Sequence, residues 1–122
     1  MAKKILIIDD DPDILDSIKA ILDGNGFATV TAISGSAGVA AFKKDAPDLV
    51  LCDMMMESID EGMKVAAEIR TINSKVPMYL LSSIGAATAS NIEVSKLGFN
   101  GVFQKPVDPG MLVSSVKKAL GM

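Results

Sequence analysis

Two short apolar runs in this chain stop at carboxylates. Ile5-Leu6-Ile7-Ile8 ends at Asp9-Asp10-Asp11, and Leu49-Val50-Leu51-Cys52 ends at Asp53. Four apolar residues in a row suit a strand buried on both faces, as in a parallel sheet. A charge at the end of such a strand is costly unless something compensates it. Taken alone, Asp53 reads as the cap of the next turn or the start of a polar loop. The second run with the same ending changes that reading, because parallel strands ending in acids bring those acids to one edge of the sheet.

Three or more carboxylates at one edge repel one another, and without a cation some of their pKa values should rise. A divalent cation removes the problem. Oxygen-only ligands, and few of them, suit Mg²⁺, which keeps several waters and shares its ligands readily with a phosphoryl group. Two further residues fall at strand ends: Ser82, after Met78-Tyr79-Leu80-Leu81, and Lys105, after Gly101-Val102-Phe103-Gln104. Carboxylates, a metal, an ammonium and a hydroxyl are the parts needed to hold three phosphoryl oxygens. One carboxylate could then attack phosphorus, giving an aspartyl phosphate. The protein would contribute positioning and charge neutralisation.

The elements that must hold these residues are legible. Asp11 is a candidate N-cap and Pro12 fits the first helical position, with Asp13 near the positive dipole end. Ile14, Ile18, Ile21 and Leu22 follow at helical spacing, and Gly24-Asn25-Gly26 ends that helix. Phe27 to Ile33 reads as a second strand. Ser34 caps a helix through about Asp45 with Val39, Ala40 and Phe42 inward, and Pro47 breaks it. Residues 54–61 read as a loop, followed by a helix from Gly62 to about Asn73 with Met63, Val65, Ala66 and Ile69 in a stripe. A weak helix is expected over about 86–97, and a final one, capped by Asp108, with Met111, Leu112, Val116 and Leu120 inward. Strict alternation of five strands and five helices implies a parallel α/β sheet with helices on both faces. Its binding site lies beyond the carboxyl ends of the strands, where strand order reverses.

Composition narrows the function. At 122 residues the chain reads as one domain, 1–122, with 49% hydrophobic residues spread along it. A net charge of −3 argues against direct nucleic-acid binding. No apolar run approaches the ~20 residues of a membrane span, and the first is too short for a signal peptide. No histidine and one cysteine exclude zinc sites and His-dependent triads. The single cysteine fits a reducing cytoplasm. Cys52, beside a carboxylate, reads as core packing, not as a reactive thiolate.

The Ile5–Pro12 run, the strand ending at Asp53, the Ser82 position and Lys105-Pro106 together resemble the receiver domain of bacterial response regulators, over essentially the whole chain. The resemblance implies a flavodoxin-like, doubly wound five-stranded sheet in the order 2-1-3-4-5. It implies phosphorylation of Asp53 from a histidine kinase or histidine phosphotransfer protein. Asp10, Asp53 and the Met55 backbone carbonyl would bind Mg²⁺, with Asp9 acting through a metal-bound water. Lys105 would pair with a phosphoryl oxygen, and its bond to Pro106 resembles the family's cis peptide. A hydroxyl would hydrogen-bond the phosphoryl group; counting from Pro77 favours Ser82 and counting back from Lys105 favours Ser83, and Ser82 is the choice here.

The chain departs from the family pattern in places. Glu57 stands where proline is usual four residues after the phosphoacceptor, and the turn that follows, through Gly62, is one residue longer. Val102 occupies the usual switch-aromatic position, and its neighbour Phe103 should point to the opposite face. Met55 and Ile84, which would flank an attacking water, are both apolar, so self-dephosphorylation should be slow. The expected role is a single-domain, non-enzymatic phosphoacceptor without an output domain in this chain. It would engage a downstream protein through its last strand and helices, as a monomer or a phosphorylation-linked dimer. The alternatives are an adaptor of the same fold that signals without phosphorylation, and an aspartate-nucleophile phosphohydrolase. The second acid such hydrolases carry is replaced here by Met55. A flavin protein of similar topology would need a phosphate cradle where Asp9-Asp10-Asp11 repel phosphate.

Overall fold

The computed structural model describes residues 3–53, 59–82, 99–104 and 107–122, with residues 59–63, 82 and 104 as backbone. Strands β1 (Lys4–Ile8), β2 (Ala28–Ala32), β3 (Leu49–Asp53), β4 (Met78–Ser82) and β5 (Gly101–Gln104) form one parallel sheet in the order β2-β1-β3-β4-β5. The described helices are α1 (Pro12–Asp23), α2 (Gly35–Asp45), α3 (Ile59–Ile72) and α4 (Pro109–Ala119). The helix expected over about 86–97 lies outside the described residues. None of the described helices is long and apolar enough to cross a membrane.

Strands β1, β3, β4 and β5 feed two cores by alternation. Ile5, Ile7, Leu49, Leu51, Leu81 and Phe103 pack with Leu15, Ile18 and Leu22 of α1 and Leu112 and Val116 of α4. Leu6, Ile8, Val50, Cys52, Met78 and Leu80 pack on the other face with Val39 and Phe42 of α2 and Val65, Ala66 and Ile69 of α3. That is why the central strands are apolar without interruption. β3 is buried at all five positions, its terminal Asp53 included. The chain runs outward from β1 to β2, then returns to β3 and proceeds to β5, so the order reverses between β1 and β3. The acids are at that crevice.

Several local expectations are corrected. α3 runs Ile59–Ile72, so residues 59–61, expected in the loop 54–61, belong to the helix, and Gly62 lies inside it. In α2 the inward positions are Gly35, Gly38, Val39 and Phe42, while Ala40 is exposed. In α4 Leu112 and Val116 are buried and Met111 is 65% exposed, one residue off the inward stripe. Leu15 joins Ile18 and Leu22 as the buried face of α1, and Ile14 and Ile21 pack at its margin. Strand β2 is one residue shorter at each end than expected. Phe27 donates its N–H back to Leu22, and Ile33 is exposed. Of the Gly24-Asn25-Gly26 stop, Gly24 stays right-handed and Gly26 takes the positive φ of 87°.

Candidate functional site

The caps separate structural acids from the rest. Asp11 is the N-cap of α1: its Oδ1 accepts the Asp13 N–H at 2.9 Å, with Pro12 in the first helical turn. The Asp9 side chain accepts the Asp11 N–H at 2.9 Å through Oδ1, and the Asp9 N–H donates to the Ala32 carbonyl at 3.0 Å. Asp9 is thus fixed from both α1 and β2. The Ala32 contact was invisible in the sequence, because a backbone carbonyl leaves no side-chain signal.

Register brings the other acid in. Ile8 pairs with Cys52, so Asp9 and Asp53 are each the next residue along adjacent strands. Asp53 pairs with Leu81 on its other side. Asp9 is fully buried, Asp53 is 3% exposed and Asp10 is exposed. One carboxylate oxygen from each of the three lies within 4.8 Å of the other two. Two full charges this close repel by about 3 kcal/mol at an effective dielectric of ~20. The donor set fits a hard divalent cation: it is all oxygen and supplies few ligands, and Mg²⁺ takes one or two carboxylates while keeping water. The exposed Asp10 leaves a hydrated ion a way in. These three are the only group of this kind among the described residues.

Ser82 is the last residue of β4 and the register partner of Gln104, the residue before Lys105 in sequence. Lys105, Pro106, Met55, Glu57, Ser83 and Ile84 lie outside the described residues. On β5, Val102 packs toward the α2–α3 core and Phe103 is buried in the α1–α4 core, as strand alternation requires. The Phe103 ring lies 5.2 Å from that of Tyr79, tilted by 43°. The aromatic character of β5 is therefore on the face opposite to the one the family pattern uses.

Residues 5–117 match the family model described as the response regulator receiver domain. The chain is similar to the transcriptional regulatory protein GlrR of Escherichia coli K12, at 31% identity over 95% of this chain and 26% of that protein. It is similar to the DNA-binding response regulator MtrA of Mycolicibacterium smegmatis, at 32% identity over 98% of this chain and 51% of that one. Among solved structures, a putative response regulator from Chloroflexus aurantiacus superposes with a TM-score of 0.90 at 27% identity, over the whole of both chains. The chain thus spans about a quarter to half the length of these two curated relatives.

Proposed function

Because the chain belongs to the response regulator receiver family, we propose that it accepts a phosphoryl group on Asp53 from a histidine kinase or histidine phosphotransfer protein and changes its partner binding as a result. The observation that carries this reading is the placement of Asp53, buried at the end of the most buried strand, within 4.8 Å of Asp9 and Asp10 oxygens. A carboxylate so placed is held still and shielded from competing water.

In the transfer, an Asp53 oxygen forms the new O–P bond as the P–N bond to the donor imidazole breaks. The electron pair of that bond leaves with the ring nitrogen, which takes up a proton. Asp10, Asp53 and the Met55 carbonyl would hold Mg²⁺, with Asp9 assisting, and the ion would offset the negative charge of carboxylates and phosphoryl oxygens. Asp9 keeps its orientation through the Asp11 N–H. Lys105 pairs with one phosphoryl oxygen and Ser82 donates a hydrogen bond to another. The downstream protein partner engages the last strand and helices, and the setting is the cytoplasm.

Hydroxylamine tests the linkage. After phosphorylation by a small acyl phosphate, it should convert the acyl phosphate to a hydroxamate at Asp53, located by peptide mass. A hydroxamate elsewhere, or none on phosphorylated protein, would refute the assignment. A second reading, an adaptor that works without phosphorylation, is favoured by Val102, which fills the family's usual aromatic position and packs into the core. Mg²⁺ binding at the acids separates the two, since the adaptor has no need of it.

A further inference from the structure

Gly38 lies in the middle of α2, a position where glycine costs helix stability relative to alanine. The space around it explains the choice. A Cβ added at Gly38 would fall inside contact distance of Ile8 Cδ1, 2.8 Å from Ile8 Cγ1 and 3.1 Å from Ile8 Cγ2. Carbon atoms in packed interiors prefer about 3.5–4.0 Å. Ile8 is fully buried in the core cluster that also holds Ala32, Val39, Phe42 and Cys52, and the crowded atoms include Cγ1 and Cγ2, which turn only with the Cα–Cβ bond. Unless Ile8 turns against the surrounding core, the end of β1 or the helix moves to admit a methyl group.

Both movements reach the acids. Ile8 is the last residue of β1 and precedes Asp9, and its register partner Cys52 precedes Asp53. The helix is joined through Ser34 and Ile33 to Ala32, whose carbonyl accepts the Asp9 N–H at 3.0 Å. We infer that Gly38 is a positioning residue for the metal ligands: the close seating of α2 on Ile8 sets the spacing of Asp9 and Asp10 from Asp53, and so the Mg²⁺ affinity. This rests on the reading of those three acids as the metal site. Metal sites depend on groups behind the ligands as well as on the ligands themselves.

The test is Mg²⁺ titration of the whole chain followed by backbone amide shifts at Asp9, Asp10 and Asp53, at constant ionic strength. Gly38→Ala should weaken Mg²⁺ binding roughly tenfold, the lower end of what changes behind metal ligands cost. Adding Ile8→Val removes Cδ1, the atom most crowded by the new methyl, and leaves Cγ1 and Cγ2 in contact with it. The double variant should fold and recover about half of the loss on a logarithmic scale, to within about threefold of wild type. Val39→Ala, on the same helix and in the same core, loses packing without crowding Ile8 and should stay within about twofold. If Gly38→Ala does not fold, the double variant carries the test. A folded Gly38→Ala with wild-type affinity would overturn the inference, as would a double variant that fails to fold or stays weak, or a Val39→Ala as weak as Gly38→Ala. Absence of Mg²⁺ binding by the wild type would instead overturn the metal reading, and this inference with it.

Discussion

Asp9 and Asp53 stand side by side because the residues before them, Ile8 and Cys52, are register partners in adjacent parallel strands. Both side chains are buried, and a third carboxylate, that of Asp10, has an oxygen within 4.8 Å of theirs. Burying two like charges together opposes folding unless a cation joins them.

Mg²⁺ should therefore stabilise the fold. At ten times its dissociation constant the gain is about 1.4 kcal/mol, and for a domain of this size that raises the melting temperature by roughly 5 °C. Thermal unfolding with and without MgCl₂ measures it, with EDTA reversing the shift. Asp10→Asn should lose most of the shift, because it removes one ligand while leaving both buried acids in place.

The ion pair at the end of α1 has a signed pH dependence. Lys19 Nζ donates to Asp23 Oδ2 at 2.8 Å, and Thr29 Oγ1 donates to Asp23 Oδ1 at 2.7 Å. These two contacts, Lys19 first, hold the Asp23 carboxyl below its ordinary value of 3.8. A depressed carboxylate pKa adds stability above the unfolded value, and that stability is lost as pH falls through the folded one. Asp23→Asn should lower the urea midpoint at pH 7, and the two proteins should converge as the pH falls below the depressed Asp23 value.

Ala46 closes α2 with φ 45° and ψ 61°, a left-handed conformation that favours glycine. Ala46→Gly should raise stability by about 0.5–1 kcal/mol, read from urea unfolding. Its side chain is exposed, so no packing is lost in exchange.

Phosphate lifetime follows from side-chain chemistry at two sequence positions. The family resemblance places Met55 and Ile84 beside the attacking water, and neither can orient that water by hydrogen bonding. Phosphorylated protein in Mg²⁺ should keep its phosphoryl group well beyond seconds, and Met55→Asn should shorten the lifetime. Loss within seconds from the unaltered protein would contradict this.

The strand ends were the most legible part of the chain. A four-residue apolar run stopped by an acid marks both a buried strand and the point where its chemistry begins. Ile5–Ile8 and Leu49–Cys52 carry that signal twice. The caps Asp11, Ser34 and Asp108 were equally readable, because their side chains accept backbone N–H groups at fixed offsets. Less legible were faces set by absent atoms. Gly35 and Gly38 carry no hydrophobic side chain, so the inward stripe of α2 was displaced onto Ala40. Met111 shows the reverse error: an apolar residue next to the stripe is apolar without being inward. The start of α3 was hidden because Gly62 looks like a boundary, although a glycine in the first helical turn is tolerated.

The most direct measurement is the intact mass of the protein after incubation with Mg²⁺ and a small acyl- or amido-phosphate donor, beside Asp53→Asn. One added phosphoryl group is expected in the unaltered protein, with none in the variant and none when EDTA removes the metal. A folded protein that gains no mass, or an Asp53→Asn variant that gains as much as the wild type, would contradict the phosphoacceptor reading.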